Sequence, residues 1–134
     1  MFIKTITYTD YNGLKRTEEH RFHLNKGELM EMQVTTEGGL VEMLKRIVAN
    51  HDYPTIYKTF KGIVLKAYGV VSPDGKRFMK VDDNGRQLCH EFEETEAFSE
   101  LITELATDDK AAADFINGLI PADLNKQLAE SSAK

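Results

Sequence analysis

The clearest hydrophobic patterning lies in Thr95 to Pro121, TEAFSELITELATDDKAAADFINGLIP. Phe98, Leu101, Ile102 and Leu105 recur at helical spacing and share one face. Ala112, Phe115, Ile116 and Leu119 repeat that spacing. Thr107 is placed to cap the second of these helices. Asp108 and Asp109 then fall in its first turn, where free N–H groups favour negative charge. Gly118 follows Asn117 near the end, and Pro121 forbids easy continuation. Such helices must bury against something, and none of their residues is suited to catalysis. The pattern predicts a packing module whose function lies in what it binds.

The N-terminal pattern has a different period. Phe2 to Thr9 is rich in Ile, Thr and Tyr, with Phe2, Ile6 and Tyr8 on one face and Lys4 among them. Asp10-Tyr11-Asn12-Gly13 carries turn chemistry. Leu14 to Leu24 returns with Leu14, His20, Phe22 and Leu24 on one face. A lone hairpin is marginal in water, so it must lie on helices, pair with a later hairpin, or pair with another chain.

Asn25 and Glu28 have capping-box spacing for a short helix carrying Leu29 and Met32. Thr36 is expected to cap the next, whose stripe is Leu40, Met43, Leu44, Ile47 and Val48. Gly38 and Gly39 in its first turn would each cost about 1 kcal/mol relative to alanine. Tyr53-Pro54 opens a third helix, with Ile56, Phe60, Ile63, Val64 and Ala67 inward. Ser72-Pro73-Asp74-Gly75 predicts a small second hairpin. Gln87 to Phe92 is a helical turn or two. Phe92 lies off the stripe of Phe98, so a break near Glu94 with Thr95 as cap is expected. The predicted fold is α+β and mainly α-helical. A single domain spans 1–121, with an N-terminal β-hairpin over 1–24 and a helical body over 25–121. That body contains a short β-hairpin near 70–80, and a flexible tail follows over 122–134.

Composition narrows the function classes. The 134 residues carry a net charge of −5, which argues against bulk binding of nucleic acid. No run approaches the length of a membrane span, so no membrane role is expected. One cysteine, Cys89, excludes an intramolecular disulfide. Lys45, Arg46, Lys58, Lys61 and Lys66 lie on the middle helices. From Gln87 to Asp109 there is no Lys or Arg, and Glu91, Glu93, Glu94, Glu96, Glu100, Glu104 and Asp108 crowd the segment. These are two solvated faces, or complementary surfaces within or between subunits.

Candidate chemistry is thin. His20 and His23, three apart in a strand, would point to opposite faces and are expected at the surface or edge. Cys89 beside Glu91, Glu93 and Glu94 suits a partly buried thiol rather than a nucleophile. Asp82-Asp83-Asn84-Gly85 lacks the ligand alternation of a calcium loop. No phosphate-binding glycine motif occurs. The expectation is no enzyme, no metal and no cofactor.

The segments LMEMQVTTEGGLVEMLKRIVANHD, FKGIVLKAYGVVSPDGKRF and FEETEAFSELITELATDDKAAADFINGLIP together resemble the tail assembly chaperones of long-tailed bacteriophages. In particular, the chain resembles the protein encoded just before the tape measure protein. The likeness covers about Leu24 to Pro121 and rests on positions such as Tyr68-Gly69, Asp74-Gly75, Phe92, Thr95 to Phe98 and Phe115 to Gly118. Val81 to Arg86 and the link HDYPTIY depart from the family pattern.

The resemblance implies a homo-oligomer in the cytoplasm of the infected host. It would coat the tape measure protein, keep it soluble, promote tail tube assembly and be absent from the mature virion. The major tail tube protein is a second candidate partner. Many such proteins also have a longer, frameshifted form. Residues assigned to partner binding are Met30, Met32 and Met43, flexible enough for varied client surfaces, with Glu94, Glu100 and Glu104 on the charged exterior. The competing role for the methionines is core filling. Phe2, Ile6, Tyr8 and Phe22 are assigned to oligomerisation through the hairpin. The alternative function is a structural virion protein, a connector or tail-completion subunit. A DNA-binding role for the middle-helix cations is the weakest binding reading.

Overall fold

The first hairpin forms where the turn chemistry sits. A computed structural model describes residues 1–120; the tail expected over 122–134 lies outside the described residues. β1 (Phe2–Thr9) and β2 (Lys15–Phe22) pair antiparallel, in register from Phe2↔Phe22 to Thr9↔Lys15. The Asp10 carboxylate holds the turn. Its Oδ1 accepts from the Asn12 and Leu14 N–H groups, both at 2.9 Å, and its Oδ2 from Arg16 Nε at 2.6 Å. Leu14, expected on the inward face, precedes β2 and is exposed.

The later elements follow in order as α1 (Lys26–Thr35), α2 (Leu40–Ala49), α3 (Tyr53–Ala67), β3 (Tyr68–Val71), β4 (Phe78–Met79), α4 (Leu88–Glu93), α5 (Glu96–Thr107) and α6 (Asp109–Leu119). The expected capping box is present on α1: Asn25 Oδ1 accepts from Glu28 N–H and Glu28 Oε1 accepts from Asn25 N–H. Thr95 caps α5 as expected, accepting from Phe98 N–H.

Four helix-end expectations are corrected. Thr36 ends α1 instead of capping α2; its hydroxyl donates to the Met32 carbonyl. Gly38 and Gly39 precede α2 with φ of 78° and 92°, so they supply a left-handed connection and cost the helix nothing. The Gln33 side chain accepts from Leu40 N–H at 2.7 Å in place of a conventional cap. Asp108, not Thr107, caps α6, accepting from the Lys110 and Ala111 N–H groups. A carboxylate there adds charge as well as a hydrogen bond at the helix N-terminus. Gly118 is not a terminator. It lies inside α6, where a Cβ would come within 2.6 Å of the Phe2 ring.

The sheet resolves the lone-hairpin problem inside the chain. Its order is β1-β2-β3-β4, with β2 joined to β3 through Arg21↔Gly69 and Phe22↔Tyr68. One face of the first hairpin, carrying Phe2, Ile6 and Phe22, packs on the helical layer. Phe22 is the hub: its ring lies 5.8 Å from Phe92, 6.1 Å from Phe115 and 6.3 Å from Phe2. The amphipathic stripes predicted for α3, α5 and α6 are all buried. The architecture is a single α+β domain, mainly helical, as the periodicities imply.

Candidate functional site

The outer edge of β1 is open. Asp10 N–H donates to the Leu14 carbonyl at 2.8 Å, so the ladder bonds of the hairpin fall on even-numbered residues of β1. The N–H and C=O groups of Ile3, Thr5, Thr7 and Thr9 consequently point away from β2. Among the described residues no other strand pairs with that side. None of these four positions carries a charge or a proline, and β1 has no bulge in its register. Natural edge strands are usually blunted by such devices.

Beside this edge run two clefts, of about 490 and about 260 Å³. The larger lies between Thr5 and Thr7 on the strand and Glu100, Thr103 and Thr107 on α5. The smaller continues past Phe2 and Ile3 toward Ala111 and Asp114 of α6. Lys4, Leu101 and Glu104 border both, and no β2 residue lines either, so the clefts form one groove on the unpaired side. Lys4 Nζ bonds Glu104 Oε1 at 3.0 Å, linking strand to helix. Glu100 and Asp114 are exposed and have no ion-pair partner among the described residues, so the groove carries excess negative charge.

This groove brings together residues assigned separately from sequence. Glu100 and Glu104 form its helical wall, and Phe2 and Ile6 contribute from the strand. Glu94 sits apart at the hairpin tip, where its carbonyl accepts from the Tyr11 hydroxyl at 3.1 Å. Ile6 and Phe22 are buried in the chain's own core, and Tyr8 donates to Glu18 at 2.7 Å. The side chains assigned to oligomerisation are therefore largely engaged within the monomer. Met32 and Met43 pack against the core and Met30 is half-buried; α1 and α2, which carry them, do not line the groove. Sequence reasoning missed Ile3, Thr5, Thr7 and Thr9. The signal was available in the neutral, β-favouring alternate positions of the first strand.

His20 and His23, expected at the surface or edge, are half-buried. His20 packs 5.1 Å from Phe92 and 6.2 Å from Tyr68, and His23 5.8 Å from Phe78. Burial holds both imidazoles below their ordinary pKa. Glu18 partly opposes the shift at His20, while the N-terminal ammonium and Lys80 reinforce it at His23. Cys89 is half-buried, and burial with Glu93 nearby raises its thiol pKa, as expected of an unreactive cysteine. Asp82 accepts from the Asn84 and Arg86 N–H groups, each at 2.9 Å, so its loop is a backbone turn. No group of three or more His, Cys, Asp and Glu residues among the described residues is placed to hold a metal ion. Of the middle-helix cations, Lys61 reaches Glu93 at 3.5 Å, an exposed pair of little weight.

Fold and surface define a small α+β domain that presents an open strand edge and an acidic groove, with no described helix long and apolar enough to cross a membrane. A family model described as phage tail assembly chaperone matches residues 1–134. The chain belongs to that family, whose members serve the assembly of phage tails. No curated protein and no solved structure matches it.

Proposed function

We propose that the protein binds the tape measure protein of its phage, keeps it soluble and promotes growth of the tail tube around it, then leaves before the virion is complete. The observation that carries this reading is membership of the tail assembly chaperone family over the full sequence. A long, aggregation-prone client needs many weak, reversible contacts, which together give avidity without permanent capture. The open groove is suited to such contacts, and it needs no cofactor. The work takes place in the host cytoplasm, with several copies acting on one client and with the major tail tube protein as a further partner.

The test is co-expression with the tape measure protein of the same phage. The expected result is a soluble complex where the tape measure protein alone precipitates. Failure to form a complex would overturn the reading. Recovery of the chain in stoichiometric amount from purified mature particles would favour a structural connector or tail-completion subunit.

A further inference from the structure

We infer that the β1 edge and α5 together form a strand-addition site for an extended, basic stretch of a tail protein. The inference rests on the proposed client binding and specifies where and how the client is held. The first observation is the edge. Ile3, Thr5, Thr7 and Thr9 direct an uninterrupted row of backbone donors and acceptors away from β2, and no described strand answers them. The second is the groove beside it, walled by α5 and reaching α6. An edge strand facing a helix across a groove is the arrangement in which a peptide adds by main-chain hydrogen bonds and is selected through alternate side chains.

Charge identifies the occupant. Every second side chain of an added strand would face the helical wall, where Glu100, Glu104 and Asp114 are offset by Lys4 alone. α5 contains no Lys or Arg. The matching segment carries Lys or Arg at alternate positions toward α5, with β-favouring residues between them. A second copy of this chain fits poorly. Two-fold pairing of β1 with itself would bring the two acidic α5 walls together, in a chain already at −5. Selection of main-chain groups plus charge also accommodates many different client sequences, as a shield along a long polypeptide requires.

The experiment uses the full chain co-purified with the tape measure protein, compared with the free chain by amide hydrogen exchange. The amides of Ile3, Thr5, Thr7 and Thr9 should exchange fast in the free protein and slow by at least about tenfold in the complex. Thr5→Pro removes one outward N–H without touching the β1–β2 ladder and should weaken client binding by at least about tenfold. Glu100→Lys, at an exposed position, should do the same while leaving the thermal transition in place. Val34→Lys on α1 is the control and should bind normally. If the client binds but Thr5→Pro and Glu100→Lys bind it as well as the wild type, strand addition is wrong and the client-binding reading survives. If those four amides are already slow in the free protein, a second copy or another part of the chain occupies the edge, and the proposal falls. If the wild type forms no complex, the client-binding reading fails and this inference with it.

Discussion

Replacing Gly118 by alanine tests how β1 is seated on the helices. Two effects oppose each other. In a helix, alanine is favoured over glycine by about 0.5–1 kcal/mol. Against this, the new Cβ would lie 2.6 Å from Phe2 Cδ2, 3.2 Å from its Cβ and 3.3 Å from its Cγ. The Cβ contact does not depend on the rotamer, and turning the ring away would break its packing on Phe115, so strand or ring must give. Phe2 is also held by Phe115, with ring centroids 5.2 Å apart and edge-on. Overpacking of this kind costs about 1–3 kcal/mol. The net expectation is a loss of about 1 kcal/mol, or a fall of about 4 °C in the thermal midpoint. In a Phe2→Ala background the ring contacts are gone and only the 3.2 Å approach to Cβ remains, so the same substitution should be neutral or stabilise by up to about 1 kcal/mol. Urea unfolding of the wild type, both single variants and the double variant measures the change of sign. The reasoning is refuted if Gly118→Ala stabilises the wild type, or if its effect is the same in both backgrounds.

Phe98→Asp and Phe115→Asp each place a carboxylate in the core, at sites 5% and 1% exposed, and should abolish the cooperative unfolding transition, at a cost above about 4 kcal/mol. A retained transition in either variant would show that its ring is not buried as described. Lys80 Nζ bonds both Glu28 carboxylate oxygens, at 3.0 and 2.9 Å, and the Lys66 carbonyl at 2.8 Å, so Lys80→Met should cost about 1–2 kcal/mol by urea unfolding. Because folding lowers the pKa of His20 and His23, the unfolded chain binds more protons. Stability should fall as pH drops through the unfolded value of about 6.5, by no more than about 1.4 kcal/mol per pH unit per histidine. Urea midpoints on either side of that pH should converge in His20→Gln/His23→Gln, and an unchanged pH slope would count against the buried placement.

Periodicity was a good guide wherever one face of an element is wholly buried. The stripes of α3, α5 and α6 are inward because Phe60, Leu101 and Phe115 leave no competing arrangement. Helix ends were less legible. A run such as Thr107-Asp108-Asp109 contains several competent caps, and only the chain path decides which carboxylate meets the free N–H groups. Thr36 was displaced by Gly38 and Gly39, whose left-handed backbone sets where α2 begins. The groove was half legible. Glu100 and Glu104 stood out in an acidic segment, but their position opposite β1 depends on α5 crossing the hairpin, a contact 100 residues apart in sequence, as the Lys4–Glu104 bond shows. The methionines suggested a client surface through their flexibility, yet Met32 and Met43 are packed against the core. Flexibility of a residue type says nothing about which side of its helix is wet.

The alternation of β1, with even side chains inward and odd backbone groups outward, changes how the proposed association must be tested. From sequence alone, deleting Met1 to Leu24 would be expected to lower the oligomeric state. In the structure that deletion removes Ile6, Phe22 and Leu24 from the core, each no more than 4% exposed. It should unfold the domain and reveal nothing about association. Even positions of β1 hold the fold, through Phe2 on Phe115, Lys4 on Glu104 and Ile6 in the core. The odd positions do not contribute to the core. Their side chains face solvent and their backbone groups face outward. Substitution at Thr5 or Thr7 therefore tests the proposed association with folding left intact, whereas substitutions at Phe2 or Ile6 confound the two. A thermal transition preserved in Thr5→Pro but lost in Ile6→Asp would demonstrate this separation, and equal damage from both would contradict it.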